Sequence, residues 1–200
     1  MFHTSSNTLA PVNPPVAVYP HMVRNVPVTL TLREKAWSLS GDDFSIKDAS
    51  NNQSVLKVKG KTMSIHDRKY MYDAQGKMLY NMADKMIAIH KTIVCEGEHG
   101  KEILTVKNKW STGSKLKGAF LDHEDKERTI ELRGDMFGTS ANITLSDGTN
   151  LAHISRKVIT VADMAADKQT YHVTVAPGVD PSLIAAVCVC FDEIENEEDK

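Results

Sequence analysis

The sequence predicts a mainly β protein, an antiparallel barrel closed around a hydrophobic C-terminal α-helix. Three observations carry that prediction. Short period-2 runs recur along the chain, each followed by a turn rich in Gly, Asn or Asp and then a second short run. A sheet of so many strands must manage its edges, and closure into a barrel removes them. A barrel that wide is not filled by its own inward side chains, and Leu183–Phe191 offers nine consecutive apolar residues to occupy the middle.

Residues 1–27 hold five of the seven prolines, Pro11, Pro14, Pro15, Pro20 and Pro27. Proline removes a backbone donor and biases its neighbour toward extended conformations. This segment is therefore expected to be a flexible arm. From Val28 the pattern becomes strand-like, with Val28, Leu30 and Leu32 alternating with Thr29, Thr31 and Arg33. Phe44-Ser-Ile46 leads through DASNNQ to Val55-Leu-Lys-Val58, and Tyr70-Met-Tyr72 through DAQGK to Met78-Leu-Tyr80. Ile93-Val-Cys95 leads through EGEHGKE to Ile103-Leu-Thr-Val106, and Ile143-Thr-Leu145 through SDGTN to Leu151-Ala-His-Ile154. Hairpin after hairpin is the pattern of an antiparallel domain. Two of the units repeat: Ile65-His66 and Ile89-His90 are each followed, ten residues after the His, by Gly76-Lys77 and Gly100-Lys101, an offset of 24. The similarity fades beyond these units, so a solenoid is not expected.

The last element starts at Asp180, whose carboxylate suits the free N–H groups of a first helical turn, with Pro181 at the first helical position. The run SLIAAVCVCF has no polar face, as expected of a helix buried on all sides. A strand over residues 187–191 is the alternative, since Val and Phe favour sheets. Length decides for a helix over about 181–195, roughly 22 Å at 1.5 Å per residue. The acids that follow are expected to mark where the helix meets water. The domain is thus drawn over 28–197, with 198–200 as a tail.

Composition narrows the class of function. The chain has 200 residues, 41% of them apolar and 25% charged, so one sizeable globular domain is expected. A net charge of -2 supplies no global field for nucleic acid, and no nucleic-acid partner is expected. Cys95, Cys188 and Cys190 are odd in number and two lie in an apolar run, which favours a reducing, cytoplasmic compartment over a disulfide framework. The opening MFHTSSNTLAPV lacks the features of a signal peptide. No apolar run reaches the length of about 20 residues that a membrane-spanning helix needs.

The stretch LREKAWSLSGDDFSIKDASNNQSVLKVKGKTMSIHDRKYMYDAQGKMLYNM resembles the LURP-one-related family, a branch of the tubby C-terminal-like superfamily. SLSGDDFSIKD, SIHDRK and the D-x-x-G-K-x-L hairpin carry the resemblance, as does the ending YHVTVAPGVDPSLIAAVCVCFDEIENEE. It covers roughly Val28 to Glu197. What it implies is a closed barrel of about twelve strands wrapped around a central C-terminal helix. It implies no catalytic residues. Related branches, the tubby proteins and the phospholipid scramblases, act at membranes, and tubby domains bind phosphoinositides through basic residues of the barrel. No position-by-position match to that basic site exists here, and the scramblase cysteine cluster and calcium segment are not recognisable.

Among candidate chemistries, His66 and His90 sit at equivalent points of the repeat, and His90-Lys-Thr92 has the H-x-T form of two-histidine phosphoesterases. That mechanism needs a base and an acid facing one phosphate, and His66-Asp-Arg68 lacks the hydroxyl. Duplication of a hairpin explains the pair more simply. Neither a metal set nor a cofactor motif is read: Cys188 and Cys190 lie about 200° apart on a helix and do not converge on one ion. The basic strand faces are the strongest signal. Lys57, Lys59 and Lys61 alternate with Leu56 and Val58, Lys107 and Lys109 with Val106 and Asn108, and Lys115 and Lys117 flank Leu116. If these strands are neighbours, the lysines form one patch for phosphoinositide or other phospholipid headgroups. Solubilising, edge-protecting lysines are the plainer reading. The expectation is a monomeric, non-enzymatic barrel, peripheral at membranes, that binds a phospholipid headgroup or a protein through its outer wall. An enzyme acting on phosphoesters through His66 and His90, and a structural barrel with no ligand, are the alternatives.

Overall fold

The computed structural model describes residues 9–33, 44–61, 68–85, 91–108, 116–135, 140–155 and 170–198. Within them lie β1 (Val28–Arg33), β2 (Phe44–Asp48), β3 (Ser54–Lys61), β4 (Arg68–Asp73), β5 (Met78–Asp84) and β6 (Thr92–Glu96). Then follow β7 (Glu102–Asn108), β8 (Leu116–Leu121), β9 (Glu127–Asp135), β10 (Ser140–Leu145), β11 (Asn150–Ser155), β12 (Thr170–Val175) and the helix α1 (Pro181–Glu198). Each strand pairs antiparallel with the next, and β1 pairs with β12 from Val28↔Val175 to Arg33↔Thr170, closing a twelve-stranded up-and-down barrel. The hairpins expected at β2–β3, β4–β5, β6–β7 and β10–β11 are all present, and β8–β9 adds one that the period-2 reading did not pick out.

At the level of the backbone the weak repeat extends to all five described hairpin turns. A residue with positive φ stands in each of these five fully described turns: Asn52, Gly76, Gly100, Asp125 and Gly148, at intervals of 24, 24, 25 and 23 residues. Gly, Asn and Asp are the residue types that reach this left-handed region at least cost. Four of the turns close alike, with the N–H of Asp73, Gly97, Asp122 and Leu145 bonded to the carbonyl four residues on. Two turns are further held by an aspartate: Asp73 Oδ1 accepts from the N–H groups of Gln75 and Lys77, and Asp122 Oδ1 from those of Glu124 and Lys126. Only two of these turns carry Gly-Lys, so side-chain similarity hides a repeat that φ reveals.

Inside, Leu183–Phe191 are each at most 2% exposed, which settles the helix as the barrel's plug. Inward-facing Leu30, Ile46, Leu56, Met71, Leu104, Ile130 and Leu132 pack in the same core. The helix approaches β6 and β7 most closely. It is three residues longer than expected, ending at Glu198, and its acids do not simply mark an exit into water. Asp192 is fully buried, and Glu193 is held by Lys69 and Lys91. Both lysines reach the helix end from the barrel wall, so Asp192 is buried and Glu193 ion-paired rather than either being simply solvated.

The arm needs a larger correction. Residues 9–27 lie against the end of the barrel where α1 begins. Val12 N–H bonds to Pro177 O, Val16 N–H to Gly178 O, Asp180 N–H to Val16 O, His123 N–H to Ala17 O and Gly178 N–H to Arg24 O. Leu9, Val16, Ala17 and Met22 are buried. Proline-rich composition suggests mobility only while no partner for the remaining N–H and C=O groups is in view; here the β12–α1 connection supplies one.

Candidate functional site

β2, β3 and β4 are consecutive, and their register sets one outward face. Ile46 pairs with Leu56 and points inward with it, so Ser45, Lys47, Lys57 and Lys59 point out. Lys57 stands opposite Ser45 on one side and Tyr72 on the other, and Lys59 opposite Tyr70. The ammonium of Lys59 lies 5.6 Å from the centroid of the Tyr72 ring, a cation–π contact that orients it. Lys57 and Lys59 are two residues apart on one strand face, roughly 7 Å at the Cα atoms. Among the described residues, no carboxylate pairs with Lys47, Lys57 or Lys59.

The other predicted lysines divide. Lys61 ends β3 with its side chain outside the described residues, and Lys109, Lys115, His66 and His90 lie outside them altogether. Lys107 and Lys117 do face each other directly across β7 and β8. Their strands are not neighbours of β3, however: β4, β5 and β6 intervene, a separation of roughly 19 Å along the wall. One continuous basic wall is therefore not built. The second patch is also partly neutralised. Glu131, paired with Lys117 across β8 and β9, lies 3.7 Å from the Lys117 ammonium and 3.1 Å from the Arg133 guanidinium. A cross-strand carboxylate of this kind offsets the repulsion of two lysines placed opposite.

The two ends of the barrel differ in chemistry. At the end where α1 starts, Asp180 is fully buried. Its Oδ1 accepts from Ser182 N–H at 2.8 Å and Ser182 Oγ at 2.7 Å, and its Oδ2 from Tyr19 N–H at 2.9 Å. The cap read from the sequence is present, and Tyr19 is a partner it gave no sign of. Burial raises the Asp180 carboxyl above its ordinary value despite these bonds. Tyr19 donates its hydroxyl to Leu79 O and packs edge-on against the buried ring of Tyr80. Burial, then the nearby Asp180, pushes the Tyr19 phenol up, so it stays a donor.

At the opposite end a small cleft of about 20 Å³, partly open to solvent, lies beside the last turns of α1. Lys69, Met82, Ile93, Val189, Cys190 and Glu193 line it. Its charges are already matched: Lys69 and Lys91 converge on Glu193, and Lys91 also lies 3.7 Å from Asp84. Among the described residues, no helix is long and apolar enough to cross a membrane.

Comparison with known proteins agrees with this architecture. The family model described as LURP-one-related matches residues 28–192. Protein LURP-one-related 15 of Arabidopsis thaliana is 25% identical over 190 residues, 92% of this chain and 87% of that protein. Protein LURP-one-related 1 of the same plant is 28% identical over 196 residues, covering 93% and 87%. Protein LURP1, also from Arabidopsis thaliana, is 27% identical over 177 residues, covering 84% of each. An X-ray structure of an Arabidopsis thaliana protein superposes with a TM-score of 0.63 at 22% identity, over 90% of this chain and 98% of that one, a likeness of fold.

Proposed function

The chain belongs to the LURP-one-related family, and on that premise we propose that it is a non-enzymatic barrel whose β2–β3–β4 wall binds an anionic phospholipid headgroup. One observation carries the reading. Lys47, Lys57 and Lys59 share an outward face with Tyr70 and Tyr72, and no carboxylate among the described residues offsets them. The buried helix supports it by exclusion, since a barrel filled by its own helix leaves its outside for ligands.

The physical mechanism is simple. Each ammonium supplies three donors to phosphate oxygens, and the Tyr72 ring holds Lys59 in place before a headgroup arrives. The chain's net charge of -2 turns this face, rather than the whole molecule, toward an anionic bilayer. Contacts of this kind weaken as salt rises, because the charges are exposed.

The test is flotation with phosphatidylcholine liposomes with and without a phosphoinositide, at two salt concentrations. Wild type should float only with the anionic lipid, and less at high salt. Lys57→Glu/Lys59→Glu should lose about thirtyfold or more in affinity, since each lysine near such a surface contributes roughly a factor of five to ten. Lys107→Glu/Lys117→Glu should lose much less, because Glu131 already offsets that patch. No flotation of wild type, or an equal loss in both double variants, defeats the proposal.

A further inference from the structure

Cys95 and Cys190 are 95 residues apart, one on the wall strand β6 and one on the central helix, with their sulfurs 3.5 Å apart. Both are free thiols and both are 0% exposed. Cys190 nevertheless lines the cleft beside the end of α1, which is partly open to solvent. Cys188, two residues earlier on the helix, is buried and does not line that cleft.

We propose that Cys95 and Cys190 form an oxidation site, closed to a disulfide by a small hydroperoxide entering through the cleft, that staples the central helix to the barrel wall. Cys190 reacts first because it lines the route in. Its sulfur attacks one peroxide oxygen, the O–O bond breaks, and the departing hydroxide takes the thiol proton to leave as water. The product is a sulfenic acid on Cys190. The Cys95 sulfur then attacks the Cys190 sulfur, the S–S bond forms, the S–O bond breaks, and a second water leaves with the Cys95 proton. Two electrons pass from the two thiols to the peroxide. Sulfurs in contact across the helix–wall interface need only a small approach to bond.

The bond to Cys190, and then burial, hold the Cys95 thiol above its ordinary range, which slows its attack on the sulfenic acid, since the thiolate is the nucleophile. The bridge closes a loop of about a hundred residues, so the oxidised form should melt about 5–10 °C higher.

The experiment treats the folded full-length protein with hydrogen peroxide, blocks remaining thiols with N-ethylmaleimide, and maps tryptic peptides without reduction. The expected result is a Cys95–Cys190 linked pair that dithiothreitol releases, Cys188 still reduced, and the higher melting temperature. Cys188→Ser should cross-link as wild type does, while Cys190→Ser and Cys95→Ala should yield no link. The wild-type map decides the matter even if a variant fails to fold. Thiols that stay reduced while the protein is folded, links through Cys188, or oxidation confined to heat-unfolded protein each overturn the proposal.

Discussion

The two ends of the barrel are built from the same strands and the same helix, yet they are finished in different ways. Where α1 begins, the backbone of residues 9–27 bonds to the β12–α1 connection, and a buried aspartate joins Tyr19 to the first helical turn. Where α1 ends, side chains do the work: two lysines from the wall hold Glu193 beside a partly open cleft. Among the described residues, one end is held by directional backbone bonds among buried groups, the other by ion pairs between long, largely buried side chains. The difference teaches where the molecule tolerates change. Backbone bonds in a buried seam have no substitute once broken, whereas a polar side chain can take the place of one partner in a side-chain pair.

The harshest way to break this comparison is to remove what the ends share. A chain ending at Ala185 keeps the arm and the start of the helix but loses Val187, Val189, Phe191 and Ile194, all buried. That burial contributes on the order of 10 kcal/mol as an upper bound, as much as a typical domain's whole stability. The expected outcome is a molten barrel without a cooperative thermal transition; a sharp melt would show that the helix start alone organises the closed end.

A smaller perturbation sets the ends against each other. Gly178 has φ +83°, and a Cβ there would lie 2.2 Å from Val12 O. Gly178→Ala should therefore cost about 3 kcal/mol through strain and displacement of the arm. Glu193→Gln at the other end should cost less, about 1–2 kcal/mol, because Gln still accepts from Lys69 while Lys91 keeps Asp84 and the Glu193 carbonyl. Melting temperatures compare the two directly, and an equal drop would erase the distinction.

The smallest expected effect is on pH dependence. Burial raises the Asp180 carboxyl above its unfolded value of 3.8, so between those two values the folded chain holds the proton that the unfolded chain has released. Stability from this group is full below the unfolded value and lost as pH rises through the folded one. Asp180→Asn keeps an acceptor for Ser182 but carries no titratable group. The melting temperature of wild type relative to this variant should therefore fall as pH climbs from about 4. A difference that stays flat would mean the carboxylate is fully compensated by Tyr19 and Ser182.

How much of this was legible beforehand depends on how far apart the partners lie. Alternation in LKVKGK placed Lys57 and Lys59 outward, and the structure has them there. DAQGK and SDGTN announced their turns, because positive φ at Gly76 and Gly148 is a local demand that glycine meets. Asp180 announced the helix start for the same reason: its bonds to Ser182 and Leu183 span two and three residues. The arm was misread because Val12 and Val16 bond to residues 177, 178 and 180, far along the chain. The assumption of a single basic wall failed on a question of neighbourhood, with β4 to β6 standing between the two patches. The Cys95–Cys190 contact left no trace in spacing at all.

What the sequence determined by itself was therefore everything set by short-range rules: the side of each strand that is apolar, the turns, the helix cap, and a plug without a polar face. These follow from steric limits on φ and from hydrophobic period, which act over a few residues. Only the tertiary structure decided which surfaces meet: the arm with the helix start, the lysines of the wall with Glu193, and one thiol with another. Barrel closure brings together residues with no local relation, and a contact made by closure carries no sequence period of its own.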